Sequence, residues 1–168
     1  MKKRSWLMSS GILLLGCGSS DTTLQEVALP AEEQQIVTVV QRLFNGIEAR
    51  DTALLARLLD SGAQLVSVRE VAGVPRWARR TKTDFLTGIA ANEATMVERM
   101  WDPEVRIDGD IATLWAPYDF YIDGEFSHCG YDAFHLTRHN GRWSIAAITY
   151  TVRTSGCEDA PPATYPEN

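Results

Sequence analysis

The sequence predicts an α+β domain in which about three N-terminal helices pack on one face of a curved antiparallel sheet. Residues 31–91 contain three stretches with helical periodicity, interrupted by one alternating, β-branched run. From residue 97 onward, four alternating runs follow one another. The pairs Asp108-Gly109, Asp123-Gly124 and Asn140-Gly141 separate these runs, and such pairs favour the two-residue turns of β-hairpins.

Residues 1–16 are interpreted as a secretory signal. A basic head, residues 1–4 (MKKR), precedes an apolar stretch that is too short to span a bilayer, and Gly16 is the small residue that a signal peptidase requires before its cut. Residues 14–17 (LLGC) are similar to the bacterial lipobox, which predicts lipidation at Cys17. The alternative is an ordinary signal peptide with an incidental cysteine. We therefore expect a lipid-anchored protein of the bacterial cell envelope, exported to the periplasm or the outer surface.

One folded domain follows the signal. Residues 17–30 are a polar, flexible tether behind the lipidated cysteine, residues 31–157 form the domain, and residues 158–168 are a Pro-rich, acidic tail that we expect to be disordered. Removing the signal takes three of the 16 basic residues and leaves all 22 acidic ones, a formal net charge of −9. A surface this acidic repels nucleic acid and anionic lipid headgroups. We therefore expect no nucleic-acid partner, and we expect contact with the membrane only through the lipid anchor.

The helices are predicted from apolar spacing and capping residues. The first covers residues 31–50, with its apolar face at Ile36, Val39, Val40, Leu43, Phe44 and Ile47. Asp51 can cap a second, shorter helix that Gly62 ends. Thr81 can cap a third helix over residues 82–91, where Asp84 completes a weak capping box.

The strands are predicted from alternation. Residues 65–71 alternate and are rich in β-branched side chains, and Gly73-Val74-Pro75 breaks this strand. The four later strands are predicted over residues 97–107, 110–122, 125–139 and 142–153. Together they form an antiparallel meander.

This order of elements resembles the cone-shaped fold of the nuclear transport factor 2-like (NTF2-like) superfamily, and most closely its bacterial SnoaL-like and DUF4440-like branch. The resemblance covers residues 31–157 and rests on the first helix and on residues 118–121, 128–136, 141–145 and 149–151. It implies a pocket inside the cone. The superfamily includes isomerases, cyclases, dehydratases and protein-binding modules, so the resemblance specifies the fold and not the function.

The turn positions also predict which side chains share a face. If Asp123-Gly124 and Asn140-Gly141 form two-residue loops, Asp119 lies opposite His128. One face then carries Trp115, Asp119, Tyr121, His128, Asp132, Phe134, Leu136, Trp143, Ile145 and Arg153. The other carries Leu114, Tyr118, Phe120, Cys129, Tyr131, His135, Ile148 and Tyr150. A bulge would exchange these assignments.

Asp119, His128 and Asp132 are the candidate catalytic residues. A carboxylate beside an imidazole fixes its tautomer and raises its basicity, so Asp119 and His128 could serve as a general base, or they could form a structural Asp–His–Arg network. Asp132 lies on a half-buried strand, where an aspartate must find partners or raise its pKa. The superfamily's isomerases and cyclases use a pocket aspartate as a proton shuttle, but Asp132 does not match their motif, and a structural role is equally compatible with the sequence.

Four aromatic residues are the candidate ligand-binding residues: Trp115, Tyr121, Phe134 and Trp143. No metal site and no cofactor are expected, because His128 and His135 face opposite sides of a strand and no phosphate loop or nucleophile elbow is present. Arg76, Arg79 and Arg80 around Trp77 form a small basic patch. The patch is either a solvated loop or a binding site for an anionic ligand at the mouth of the cone.

The remaining cysteines, Cys129 and Cys157, form an even pair in a protein that we expect to be exported. The predicted register places Cys129 opposite Val152, so Cys157 must fold back through Ser155-Gly156 to reach it. We expect a disulfide, with two free thiols as the alternative.

Three functions remain open at this point. The first is the binding of a small apolar or aromatic molecule in the cone. The second is a cofactor-independent enzyme of isomerase, dehydratase or hydrolase type that uses Asp and His as acid–base groups. The third is a protein-interaction module of the envelope, a homodimer through the outer face of the sheet.

Overall fold

A computed structural model describes residues 30–157 as three helices and seven strands. The helices are α1 (Ala31–Glu48), α2 (Thr52–Leu58) and α3 (Lys82–Ala91). The strands are β1 (Leu59–Val71), β2 (Val74–Thr81), β3 (Met96–Met100), β4 (Glu104–Asp108), β5 (Ile111–Ile122), β6 (Glu125–His139) and β7 (Arg142–Val152). The expected signal, the tail and all of the tether except Pro30 lie outside the described residues. Within residues 30–157, no helix is long and apolar enough to cross a membrane.

The seven strands form one open, curved, mixed sheet in the order β2-β1-β7-β6-β5-β3, with β4 also paired to β5. The α+β class is confirmed, but the expectation of a wholly antiparallel sheet is wrong at one boundary. There β1 runs parallel to β7, with Leu65 opposite Ile148. Parallel strands are joined by long crossovers and not by turns, so no local signal marks this pairing.

Residues 74–81 form a strand, β2, although the sequence indicated a break at Gly73 followed by loop. Ala72 and Gly73 both have positive φ, 52° and 76°, and make the tight turn that joins β1 to β2. Every residue of β2 is exposed, because β2 is an edge strand. It therefore lacks the alternation that identifies a half-buried strand. The third helix follows β2, so only two of the three helices precede the sheet.

Both predicted helix caps are present. Oδ1 of Asp51 accepts a hydrogen bond from the Leu54 backbone N–H at 2.8 Å, which satisfies one of the free donors at the start of α2. Thr81 and Asp84 form the reciprocal capping box of α3. These hydrogen bonds hold the Asp84 carboxylate and keep its pKa below the usual value. Capping fixes where α2 and α3 begin.

The hairpin turns agree with the sequence at two of three places. Asp123-Gly124 and Asn140-Gly141 have positive φ at both residues, as the type I′ turn requires. At the first turn Asp108 pairs with Ile111, so the loop is Gly109-Asp110, one residue later than expected. The predicted strand over residues 97–107 is also divided into β3 and β4, since Asp102 adopts a φ of 45° between them.

Two bulges shift the register of the meander. Between β5 and β6 the shift follows Phe120, so Phe120 pairs with His128 and Asp119 pairs with Cys129. The expected pairing of Asp119 with His128 is wrong, because Ser127 is an extra residue in β6. A second shift beyond His135 moves β7 by one residue against β6. Each bulge exchanges the two faces of one strand relative to its neighbour.

The helices pack on one face of the sheet, which we call the inner face; the opposite side is the outer face. Leu65, Ile148, Phe134 and Leu114 lie side by side across β1, β7, β6 and β5, and each is at most 5% exposed. The α1 residues that join this core are Ile36, Val40, Leu43, Phe44 and Ile47. Burial of this apolar surface is the main stabilising contribution to the domain.

Candidate functional site

A cavity of about 420 Å³ lies between the helices and the inner face of the sheet. Its apolar lining consists of Leu43, Phe44, Ile47, Leu65, Phe85, Ile89, Met96, Phe120, Phe134, Ile148 and Val152. Its polar lining consists of Ser67, Arg69, Arg80, Glu98, Tyr118, Ser127, His128, Asp132, Tyr150 and Thr154. A mostly apolar wall with a few polar groups is typical of small-molecule sites, whose volumes are about 300–1,000 Å³.

Glu98 on β3 and Asp132 on β6 bring two carboxyl groups together in this cavity. The intervening strand β5 places Ala116 opposite Asp132, and this small side chain leaves room for the two groups to meet. Asp132 is 1% exposed, and its buried Oδ2 accepts no hydrogen bond from any other N–H or O–H group of the described residues. Two carboxylates this close would repel each other, so the pair favours a state that retains a proton.

Burial raises the pKa of Asp132 to about 8. The pKa of Glu98 is raised well above its usual range, first by burial and then by the neighbouring charge of Asp132. The neighbouring Glu98 opposes the rise at Asp132 and lowers the pKa of Asp132 in part. The pair therefore keeps a proton at neutral pH, and can donate a hydrogen bond to a ligand or exchange a proton with it.

Two tyrosines continue the polar lining. Ser67, Tyr150 and Asp132 lie side by side on β1, β7 and β6. The Tyr118 hydroxyl donates a hydrogen bond to the Thr151 carbonyl at 2.8 Å. Burial raises the pKa of both tyrosines, so their hydroxyl groups stay neutral. The two tyrosine hydroxyl groups therefore add hydrogen-bonding capacity to the cavity wall and no charge.

His128 lines the cavity, and no carboxylate of residues 30–157 forms an ion pair with it. Its ring stacks on Phe120 at 4.9 Å between centroids, and Nδ1 lies 3.0 Å from Oγ of Ser127. Burial lowers the pKa of His128, and the positive charge of Arg69 lowers it further. The imidazole is therefore neutral at pH 7, with a proton on one ring nitrogen and a lone pair on the other.

Comparison with known proteins identifies the fold of this chain. No family model and no curated protein matches the sequence. An NTF2-like protein from Cytophaga hutchinsonii matches with a TM-score of 0.59 and 16% identity, over 74% of this chain and 100% of that chain. A protein of unknown function with a cystatin-like fold from Nostoc punctiforme gives a TM-score of 0.60 and 13% identity, over 76% and 96%. The chain has the NTF2-like fold.

A third solved structure, provisionally assigned as a dehydratase of the NTF2-like family from Streptomyces avermitilis, gives a TM-score of 0.57 and 14% identity, over 74% of this chain and 97% of that chain. At such identities the likeness extends to the fold alone. The NTF2-like fold explains the cavity as the space inside its curved sheet. It does not assign the residues of that cavity a role.

In this NTF2-like fold, Asp119 lies on the outer face and not in the cavity. It is fully buried and forms a two-pronged ion pair with Arg99, in which Nε donates to Oδ1 at 2.8 Å. The Arg99 guanidinium also lies 5.1 Å from the centroid of the Tyr121 ring. Of the three candidate catalytic residues, His128 and Asp132 share the cavity, while Asp119 belongs to a separate ion pair.

The four aromatic candidates lie in three places. Phe134 lines the cavity, 1% exposed. Trp115 and Tyr121 lie on the outer face, because the bulge in β6 reverses β5 relative to the later strands. Trp143 lies on the inner face, but it lines a separate hollow of about 350 Å³ beside α1 and α2. The expected face shared with Asp132 is therefore wrong for Trp115 and Tyr121 and correct for Phe134 and Trp143, of which only Phe134 lines the cavity.

The cysteines can be placed in part. Cys129 and Cys157 form a disulfide that closes a sequence separation of 28 residues and holds the C-terminal end of the described chain against β6. Cys17 lies outside the described residues. Between Pro30 and Cys157, no group of three or more His, Cys, Asp and Glu side chains is placed to hold a metal ion.

Sequence reasoning missed Glu98, the second member of the carboxyl pair. A signal was present, because Glu98 is an acidic residue inside an alternating run, Met96 to Met100. Its orientation, however, depends on the pairing of β3 with the far end of β5, where Glu98 lies opposite Phe120. The predicted register contained neither bulge. It therefore placed three cavity residues on the face opposite Asp132: Tyr118, Phe120 and Tyr150.

Proposed function

We propose that the chain is a binding protein for a small, largely apolar or aromatic molecule held in the cavity. The observation that carries this proposal is the protonated Glu98–Asp132 pair inside an otherwise mostly apolar cavity. Phe44, Phe85 and Phe134 supply broad apolar surfaces around it. An apolar body would replace water along these walls, which is the main favourable contribution to such binding.

The carboxyl pair supports a ligand with one polar atom near its inner end. Burying a polar group without a hydrogen-bond partner costs about 1–3 kcal/mol. Oδ2 of Asp132 is such a group, because it is buried and has no hydrogen-bond partner among the described residues. A ligand carbonyl or hydroxyl oxygen beside the Glu98–Asp132 pair would complete its hydrogen bonds, and this would fix the orientation of the ligand.

The test is native mass spectrometry of the purified full chain, followed by extraction and identification of any bound molecule. We expect a bound molecule with the wild-type protein and with Glu104→Gln, a matched change on exposed β4. We expect Asp132→Asn to lose at least about tenfold in affinity for that molecule while remaining folded. Retention at the wild-type level in Asp132→Asn would contradict the proposal, as would failure of small apolar probes to bind at all.

A second candidate function is cofactor-independent proton transfer, of the isomerase or dehydratase type. It is favoured by one observation: the pKa of Asp132 is raised to about 8 in a group that lines the cavity, so the carboxylate form is a stronger base than an ordinary aspartate. Glu98 could then hold the second proton. The neutral imidazole of His128 lines the same cavity and is a second candidate base.

Deuterium exchange into the methyl group of acetophenone, followed by NMR in D₂O, distinguishes the enzyme from the binding protein. An enzyme of this type should accelerate exchange, with a rate that rises as the pH passes through the pKa of Asp132. The acceleration should be absent in Asp132→Asn and unchanged in Glu104→Gln. If the probe binds and wild-type protein gives no acceleration, the binding function stands alone.

We also propose that the protein works at the bacterial cell envelope, exported and lipid-anchored through Cys17. The lipobox-like residues 14–17 support this, and the Cys129–Cys157 disulfide suits an oxidising compartment. The formal net charge is −6 for the full sequence and −9 without residues 1–16, which supports a role without nucleic acid. Replacing Cys17 by serine should move the protein from the membrane fraction to the soluble fraction. Unchanged membrane association would remove the anchor from the proposal.

The closer relationship to the SnoaL-like and DUF4440-like branch also stays a proposal, supported by residues 118–121 and 128–136. A homodimer through the outer face is supported by the large exposed ring of Trp115 on that face, which is 47% exposed. Light scattering of the purified protein tests the dimer: Trp115→Ser should give a monomer where the wild type gives twice that mass.

A further inference from the structure

One wall of the cavity is cationic. Arg69 on β1 and Arg80 on β2 both line it. The register of β1 with β2 places Arg76 opposite Arg69, with Ala78 between Arg76 and Arg80 along β2, so the three guanidinium groups belong to the inner face. All of β2 is exposed, and this wall is therefore the side on which the cavity meets solvent.

These arginines are not neutralised by acidic neighbours. The ion pairs found between Pro30 and Cys157 use Arg99 and Arg138, and neither Arg69 nor Arg80 takes part in one. Glu70 follows Arg69 on β1, so alternation turns its side chain to the outer face. The acidic residues of the lining are Glu98 and Asp132, which share a proton on the β3–β6 side.

The positive charge acts on the cavity itself. Arg69 contributes to the lowered pKa of His128, and Arg80 opposes the rise in the pKa of Tyr150. Both effects require the guanidinium charge to lie close to groups that line the cavity. A purely solvated edge strand would project its arginines away from such groups.

We propose that the ligand is an amphiphilic anion: an apolar or aromatic body inside the cavity, with a carboxylate, sulfate or phosphate group held by Arg69 and Arg80. This inference rests on the proposed binding function and narrows its ligand class. A guanidinium group presents paired N–H donors that match the oxygens of these anions. The protonated carboxyl pair, whose Asp132 lies two strands away from β1, does not repel the anion, and it receives the uncharged polar end.

The experiment compares two fluorescent probes with the same ring systems. Anilinonaphthalene sulfonate carries a negative charge, and phenylnaphthylamine lacks it. We expect wild-type protein to bind the sulfonate more tightly, by about tenfold, and to lose this preference as salt is added. The double variant Arg69→Gln/Arg80→Gln should weaken sulfonate binding by about tenfold and leave phenylnaphthylamine binding within about twofold.

Arg79→Gln is the matched control, because Arg79 lies on the same strand opposite Val66 and belongs to the outer face. It should change neither affinity. Displacement of phenylnaphthylamine by decanoate, decyl sulfate, decyl phosphate and decanol then ranks the anions, and decanol should be weakest.

The outcomes separate the two proposals. If phenylnaphthylamine binds wild-type protein but the sulfonate is not preferred, the anionic ligand is ruled out and the apolar binding function stands. The same conclusion follows if the double variant weakens both probes equally, or neither. If neither probe binds the wild-type protein, the proposed binding function fails and this inference fails with it.

Discussion

Asp119 and Asp132 are both buried, on neighbouring strands, and their partners give them opposite chemistry. Asp119 faces a guanidinium group, Arg99, and forms a buried ion pair with it. Asp132 lines the cavity beside another carboxyl group, Glu98, and burial raises the pKa of Asp132 to about 8. Asp119 therefore holds the outer face together, whereas Asp132 provides an exchangeable proton to the cavity.

Asp119→Ala should destabilise the protein by about 3 kcal/mol, because it leaves Arg99 without its buried partner. Arg99 is 26% exposed, so water recovers part of the loss and the cost lies near the low end for buried pairs. Urea unfolding measures it, with Glu104→Gln as the control. Ligand binding by the folded Asp119→Ala protein should be unchanged, and a selective loss of binding would place Asp119 in the site after all.

The sequence allowed His128, Asp132 and Phe134 to be grouped correctly, because they lie on one strand and obey simple alternation. It did not allow Asp119 to be separated from them. That assignment depends on Ser127, one extra residue just after a turn, and the preference for a bulge there comes from the curvature of the whole sheet.

At the scale of elements, Gly130 explains how β6 and β7 meet near the cavity. A Cβ atom at this position would lie 2.0 Å from the carbonyl oxygen of Thr151. That oxygen accepts the hydrogen bond of Tyr118, and the Thr151 hydroxyl accepts one from the Tyr131 N–H at 2.9 Å. The missing side chain lets the end of β7 approach closely enough to make both contacts.

Gly130→Ala should therefore cost more than about 2 kcal/mol of stability, since backbone must move to admit the methyl group. Gly62→Ala is the matched control, because no atom lies within 4 Å of a Cβ placed there. Thermal unfolding of both variants tests the difference. Equal melting temperatures for the two variants would contradict this prediction, because they would mean that β6 and β7 can move apart to admit the methyl group without a loss of stability.

Elements set by local chemistry were predictable, and elements set by distant partners were not. The caps at Asp51 and Thr81 and the turns at Asp123-Gly124 and Asn140-Gly141 depend on a few neighbouring residues. The strand β2 has no buried face of its own, and its place comes only from pairing with β1.

For the whole molecule, the carboxyl pair makes stability depend on pH. The pKa of Asp132 is raised in the folded state, from 3.8 to about 8, so the folded protein holds a proton that the unfolded chain releases. The associated stabilisation is complete below about pH 4 and is lost as the pH rises through about 8. The loss comes from ionising a buried group that has no cation beside it.

The free energy of unfolding should accordingly fall more steeply between about pH 5 and about pH 8 in wild-type protein than in Asp132→Asn. The difference between the two slopes, accumulated over this range, should be on the order of 4 kcal/mol. Urea titrations at several pH values measure it. Parallel curves would show that Asp132 ionises like an exposed aspartate.

The parallel pairing of β1 with β7 has a consequence for how the chain acquires its structure. Strand β7 joins the β1–β2 hairpin to the remainder of the sheet, and it is the last of the seven described strands to be synthesised. A nascent chain that ends before Arg142 lacks the partner to which β1 binds, and its cationic cavity wall has nothing to hold it in place. Contacts of such long range form slowly. The sheet cannot be completed until β7 has emerged, so the chain stays unfolded for longer during synthesis. Translocation across a membrane in unfolded form would require such a state.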